Sequence, residues 1–186
     1  MKQEAIKEMQ TKIGVTSDGF WGPKSIAACQ KYLRGLMPKP NPWPKAGQAS
    51  VKAFYGEPGD EANLVTVDVS AYGVRYSGKK VNTLRCHRKV RDSLLRVFAE
   101  LAKTSPEILA LYDGCFNFRT MRGGSSWSMH SWGIAVDFDA GNNGNNTSWP
   151  TKATMPFKVM EAFAREGWTS AGAFWGRDAM HAEATS

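Results

Sequence analysis

The chain has 186 residues, 42% of them apolar, which allows one medium-sized core plus something smaller and excludes a disulfide-stapled mini-protein. A formal charge of +7 points to an acidic partner, and nucleic acid, an anionic membrane and a cell wall rich in phosphate and carboxylate all qualify. No run of about 18 apolar residues is present, so no membrane-spanning helix and no stable membrane insertion are expected.

The charge is uneven, because residues 1–48 hold eight Lys/Arg against three Asp/Glu. The opening Met1-Lys2-Gln3-Glu4-Ala5-Ile6-Lys7-Glu8 lacks the apolar core of a signal peptide, so synthesis in the cytoplasm is expected, with any outside target reached by another route. Ala5, Ile6, Met9 and Ile13 fall at helical spacing, and a second helix can start after Pro23 with Ile26, Ala27, Gln30 and Leu33. The connection from Gly14 to Pro23 is rich in turn formers. Residues 1–37 therefore form a helical hairpin, either a module of its own or a cap on a larger domain. Four prolines between Pro38 and Pro44 exclude helix and central strand, so residues 38–48 are expected as a semi-rigid spacer and 49–186 as the main domain.

In the main domain, Leu64-Val65-Thr66-Val67-Asp68-Val69 is β-like and Tyr76-Ser77-Gly78-Lys79 is a turn. His87, within Arg85-Cys86-His87-Arg88-Lys89, is expected to start a basic helix and to be structural. Val90, Leu94, Val97, Phe98 and Leu101 line one face of an amphipathic helix, and a second helix is expected from about Pro106 to Tyr112. Cys115–Arg119 and Ile134–Phe138 are candidate strands. The Gly/Asn tract 141–146 is expected as a flexible loop, lacking the acidic positions of a calcium loop. A helix from about Pro156 to Glu166 and a strand around Met180–Ala184 complete the pattern. Helices and strands mix without regular βαβ alternation, which indicates an α+β fold. Cys29, Cys86 and Cys115 are odd in number and lack C-x-x-C spacing, so they are expected as reduced core thiols.

Two of the three histidines sit in company that suggests metal. In a strand after Gly133, Ile134, Val136 and Phe138 face one side while Ala135, Asp137 and Asp139 face the other. His130 lies seven residues before Asp137, so the chain must bend to bring them together, and Gly133 is the place for it. A short turn brings Asp178 toward His181, with Glu183 on the same side of the strand. Two imidazoles and one carboxylate, with a fourth position for water, form a usual catalytic zinc set. On spacing alone, a hydrogen-bonded loop histidine is the commoner outcome.

The pattern Ser128-x-His130-x-x-Gly133-x-Ala135-x-Asp137, followed by Asp178-x-x-His181-x-Glu183, resembles the double signature of zinc peptidases of the D-alanyl-D-alanine carboxypeptidase type, a group that includes phage L-alanyl-D-glutamate endopeptidases. The resemblance implies a hedgehog-like fold, a small antiparallel sheet flanked by helices, and zinc held by His130, Asp137 and His181. It implies Asp178 as general base, Arg119 as the substrate anchor with Arg122 as its rival, Ser128 as a substrate-positioning residue and Glu183 as a partner behind the ligands. Relatives commonly carry an aromatic where this chain has Ala182. Asp18-Gly19-Phe20-Trp21-Gly22-Pro23 between two helices is similar to the peptidoglycan-binding helical module.

Together the resemblances imply a monomeric phage-type endolysin acting on bacterial peptidoglycan, not nucleic acid, after release across the inner membrane. Two other readings stay open: a catalytically silent zinc-stabilised wall-binding protein, and a glycan-cleaving lysin using Asp178 and Glu183 as its carboxylate pair.

Overall fold

A computed structural model describes residues 3–186; Met1 and Lys2, the start of the expected module, lie outside the described residues. The hairpin forms as α1 (Gln3–Lys12) and α2 (Pro23–Leu36), with Pro23 in the first turn of α2, where its missing N–H costs nothing. The buried face of α2 is Ser25, Cys29 and Leu33, while Ile26, expected inward, is exposed. Gln10 ties the connection together, donating to Asp18 (2.7 Å) and to the Phe20 carbonyl (2.9 Å) and accepting from Gly19 N–H (2.8 Å).

The hairpin packs against α7 (Phe157–Arg165). Glu161 of α7 is buried and takes Lys12 Nζ at 2.7 Å and the Tyr32 hydroxyl at 2.7 Å, while Trp21 meets Trp149 edge-on at 5.5 Å. Residues 38–48, expected as a spacer, are also fastened down. Asn41 and Trp43 donate to the carbonyls of Gly167 and Glu166, and Pro44 and Ala46 exchange backbone bonds with Ser186. Side-chain amides and an indole supply the anchorage that proline cannot.

Helix α3 (Gln48–Tyr55) follows, buried at Val51 and Tyr55. Strands β1 (Leu64–Asp68) and β4 (Thr83–His87) pair antiparallel, with the hairpin β2 (Arg75–Tyr76) and β3 (Lys79–Lys80) between them. His87 thus ends a strand, paired with Leu64, and does not start a helix. Leu84 and Cys86 point inward on alternate positions, and His87 Nε2 meets the Tyr55 carbonyl at 2.9 Å, a structural role.

Helix α4 (Arg91–Thr104) buries Leu94, Val97, Phe98 and Leu101, as the periodicity requires. Helix α5 stops at Leu109 (Pro106–Leu109), short of the expected Tyr112, because Tyr112 enters β5 (Tyr112–Gly114) opposite Phe138. The main sheet is antiparallel, in the order β5, β6 (Ala135–Phe138), β8 (His181–Glu183), β7 (Thr169–Ser170). Helices α4 and α7 cover it through Phe98, Phe138 and Phe163, each worth about 1.5–3 kcal/mol by burial.

Helix α6 (Ala140–Asn143) occupies part of the tract expected to be flexible. Asn143 is fully buried: its side-chain oxygen accepts Thr154 and Met155 N–H, and its backbone carbonyl accepts Met180 N–H. Helix α8 (Ala171–Trp175) leads to the turn before β8. The arrangement is α+β. All three cysteines are buried and unpaired. Among the described residues, no helix is long and apolar enough to cross a membrane.

Candidate metal centre

Strand register builds most of the site. Asp137 of β6 and His181 of β8 are direct cross-strand partners, as are Ala135 and Glu183, so Asp137 and His181 lie side by side on one face. Asp137 Oδ1 and His181 Nδ1 are 3.0 Å apart. The third member arrives from outside the sheet. Met129–Trp132 form a 3-10 turn that ends at Gly133 in the left-handed region (φ 67), and this bend carries His130 back over Asp137. A Cβ at Gly133 would lie 2.9 Å from His87 N and 3.1 Å from Cys86 C, so β4 packs directly against the bend.

The loop expected as a strand, Cys115–Arg119, serves instead to hold this turn. Gly114 (φ 131) closes β5, and the Cys115 carbonyl accepts His130 Nδ1–H at 2.6 Å. Asn117 N–H reaches the His130 carbonyl, and the Ser131 hydroxyl donates to Arg119 O (2.6 Å) and accepts Arg119 N–H (2.9 Å). With backbone groups spent on the turn, no ladder forms here.

Because Nδ1 gives its proton to Cys115, Nε2 of His130 is the nitrogen turned to the cluster. It is buried, has no hydrogen-bond partner, and sits 3.1 Å from Asp137 Oδ2. On the other side, His181 Nε2 contacts Glu183 Oε2 at 3.0 Å, leaving Nδ1 for the cluster, and Thr185 donates to Glu183 Oε1 at 2.6 Å. The ligand atoms of His130, Asp137 and His181 all lie within 4.8 Å of one another. An orphaned imidazole nitrogen, a second imidazole oriented by a carboxylate and a carboxylate between them fit one divalent ion with N/O preference.

Electrostatics agree. Burial works against charge on His181, yet hydrogen bonds to Asp137 and Glu183 hold its pKa at about 10. Burial raises Asp137 and Glu183 too, but their imidazole neighbours keep both below the usual carboxylate range. Asp178 is the exception, its pKa raised by burial. It occupies the turn between α8 and β8 in the left-handed region (φ 57), its carbonyl accepts His181 N–H, and its Oδ1 is buried without a partner.

Among the other expected residues, Ser128 is buried beside the His130 turn and donates its N–H to Arg119 O. Arg119 is half-buried with its guanidinium on the Thr120 carbonyl (3.2 Å), and Arg122 is exposed. Neither guanidinium bonds to the cluster among the described residues. One contributor has no motif to mark it in the sequence, the Ser131 hydroxyl. Trp175, one of the tryptophans that cluster around the two motifs, stacks on the His181 ring at 5.8 Å with nearly half its surface exposed.

Residues 122–184 match the family model for D-alanyl-D-alanine carboxypeptidase. That stretch holds Arg122, Ser128, His130, Asp137, Asp178, His181 and Glu183, whereas Arg119 and the helical hairpin lie before it. No curated protein and no solved structure matches the chain.

Proposed function

We propose that this chain is a zinc-dependent peptidase that hydrolyses a peptide bond in the stem or cross-link peptide of bacterial peptidoglycan, on a hedgehog-like fold. The observation that carries the proposal is the orphaned His130 Nε2, converging with Asp137 and His181 inside the stretch similar to D-alanyl-D-alanine carboxypeptidases. Those three residues would hold the ion, which supplies Lewis acidity toward a peptide carbonyl and an attacking water.

The protein's own groups do the rest. Asp178, kept more basic than an ordinary carboxylate by burial, takes the proton of the attacking water and passes it to the leaving amine. Glu183, braced by Thr185, fixes the tautomer and orientation of His181. Arg119 is favoured over Arg122 as the substrate anchor because the Ser131 hydroxyl ties its backbone to the His130 turn, and Ser128 positions substrate beside it. The basic hairpin, with Phe20 exposed at its tip, is the proposed wall contact. The place of action is the cell wall, reached after passage across the inner membrane, as for a phage endolysin.

Glu183 is turned to His181 and Thr185 and buried, which speaks against its pairing with Asp178 in a glycosidase. The unpartnered, buried Oδ1 of the half-buried Asp178 speaks against a pure binder, which has no need of it.

The test is Asp178→Asn. In a folded variant that still takes up zinc, wall-lytic turnover should fall about 10²–10⁴-fold; undiminished turnover removes Asp178 as the base. Product analysis separates the classes, since new amino groups mean a peptidase and new reducing ends a glycosidase. Mass spectrometry of the released fragments identifies the bond among L-alanyl-D-glutamate and D-alanyl linkages.

A further inference from the structure

A cavity lies outside the metal cluster, with a volume of about 300 Å³, lined by Gln48, Ala49, Lys52, Glu57, Pro58, Trp127 and Trp132. That volume is at the lower end of small-molecule sites, room for a ring-sized group. Its walls are fixed. The Gln48 side chain holds Trp127 by two bonds, donating to its carbonyl (2.9 Å) and accepting its N–H (3.2 Å). Trp127 stacks on Phe118 at 4.7 Å, and the Trp132 indole donates to the Gly56 carbonyl at 2.7 Å.

The lining chemistry narrows the ligand. Lys52 and Glu57 are paired with each other at 2.8 Å and both exposed, so the cavity has no net charge to attract an anion or a cation. The half-buried Trp127 indole, backed by Phe118 and with Trp132 buried beneath it, offers a patch of flat apolar surface, while an amide, an ammonium and a carboxylate offer hydrogen bonds in both directions. A neutral, polyhydroxylated ring satisfies both demands. Position supplies the rest: Trp127 and Trp132 bracket Ser128 and His130, so whatever fills this cavity lies on the segment that carries the cluster.

We infer that this cavity is a saccharide subsite, which holds an N-acetylhexosamine ring of the glycan strand while the attached peptide reaches the metal cluster. The inference rests on the proposed function for its choice of sugar. It makes the enzyme select peptide that is still joined to glycan.

The probe is the β-1,4-linked tetramer of N-acetylglucosamine, titrated calorimetrically into the full chain. Trp127 is too close to Ser128 for a clean substitution, so the variant is Ala49→Trp, which places an indole at the exposed start of α3 and fills the mouth. The expected result is saccharide binding by the parent and at least about tenfold weaker binding by Ala49→Trp. On a glycan-linked peptide the variant should show about a tenfold higher KM with kcat unchanged, and on the same peptide without sugar no change.

No binding by the parent, or equal binding by both, overturns the inference. An equal loss on sugar-free and sugar-linked peptide also overturns it, since the cavity then takes peptide. If the parent cleaves neither peptide while Ala49→Trp still abolishes saccharide binding, the peptidase proposal falls and the saccharide site stands.

Discussion

The proton held by His181 makes a quantitative demand on metal binding. Its two nitrogens face Asp137 and Glu183 at 3.0 Å each, and its metal-free pKa of about 10 means that Nδ1, the nitrogen an ion needs, is protonated at neutral pH. Uptake of the ion must expel that proton. When one proton leaves and its pKa lies above the range studied, apparent affinity falls tenfold per pH unit, so zinc should bind about 30-fold, or about 2 kcal/mol, more weakly at pH 7 than at pH 8.5.

Competition against a chromophoric chelator gives the affinity, and calorimetry in buffers of different ionisation heat counts the proton, about one per ion. Glu183→Gln keeps the shape but removes one of the two charges that retain the proton, so His181 should fall back toward 6.5 and the slope over the same interval should shrink. An affinity indifferent to pH, or an unchanged slope in Glu183→Gln, would refute the reasoning. The metal-free fold carries the same linkage. The raised His181 pKa contributes stability that is complete below 6.5 and lost toward about 10. The lowered Asp137 and Glu183 contribute above their unfolded values of 3.8 and 4.5 and lose it on acidification. Stability from this cluster should therefore peak between those limits.

Gly133→Ala should cost about 2 kcal/mol or more in urea unfolding, combining a left-handed φ with a Cβ at 2.9 Å from His87 N, and should weaken zinc binding as the His130 turn shifts. Lys12→Met strands the buried Glu161 carboxylate and should cost about 2 kcal/mol, much of it recovered in Lys12→Met/Glu161→Leu; simple additivity of the two single losses would sink the account of hairpin docking. Burial pushes the Cys29 and Cys86 thiols up to about 12 and raises Cys115 well above the ordinary thiol value, so a thiol reagent at pH 8 should label none in the folded protein within minutes and all three in denaturant.

Much of the cluster was legible because its constraints are local. Gly133 had to bend if His130 and Asp137 were to meet, and alternation along β6 put Asp137 opposite the core residues Val136 and Phe138. The β6/β8 register, which makes Asp137 and His181 neighbours, is a long-range pairing that no spacing discloses. Strand β4 is masked in the sequence because the charges of Arg85, Arg88 and Lys89 obscure the inward alternation of Leu84 and Cys86. Asn143 misled in the other direction: a Gly/Asn tract is polar in composition, yet this buried side chain donates to Asp139 and accepts the N–H groups of Thr154 and Met155, which gives it a fixed place. Helix α3 had only Val51 and Tyr55, one turn apart, to announce it.

The Lys12–Glu161–Tyr32 lock has a mechanical corollary. Two grips joined by loose string sample many spans, and their cooperation is governed by how often the string happens to fit. Here the grip proposed for the wall is bolted to the same helix that backs the main sheet, so the span from Phe20 to the cluster is a single length. On the proposed function, such an arrangement would work as a ruler, cutting at one distance from where it holds, with its reach set by helix geometry instead of chain entropy.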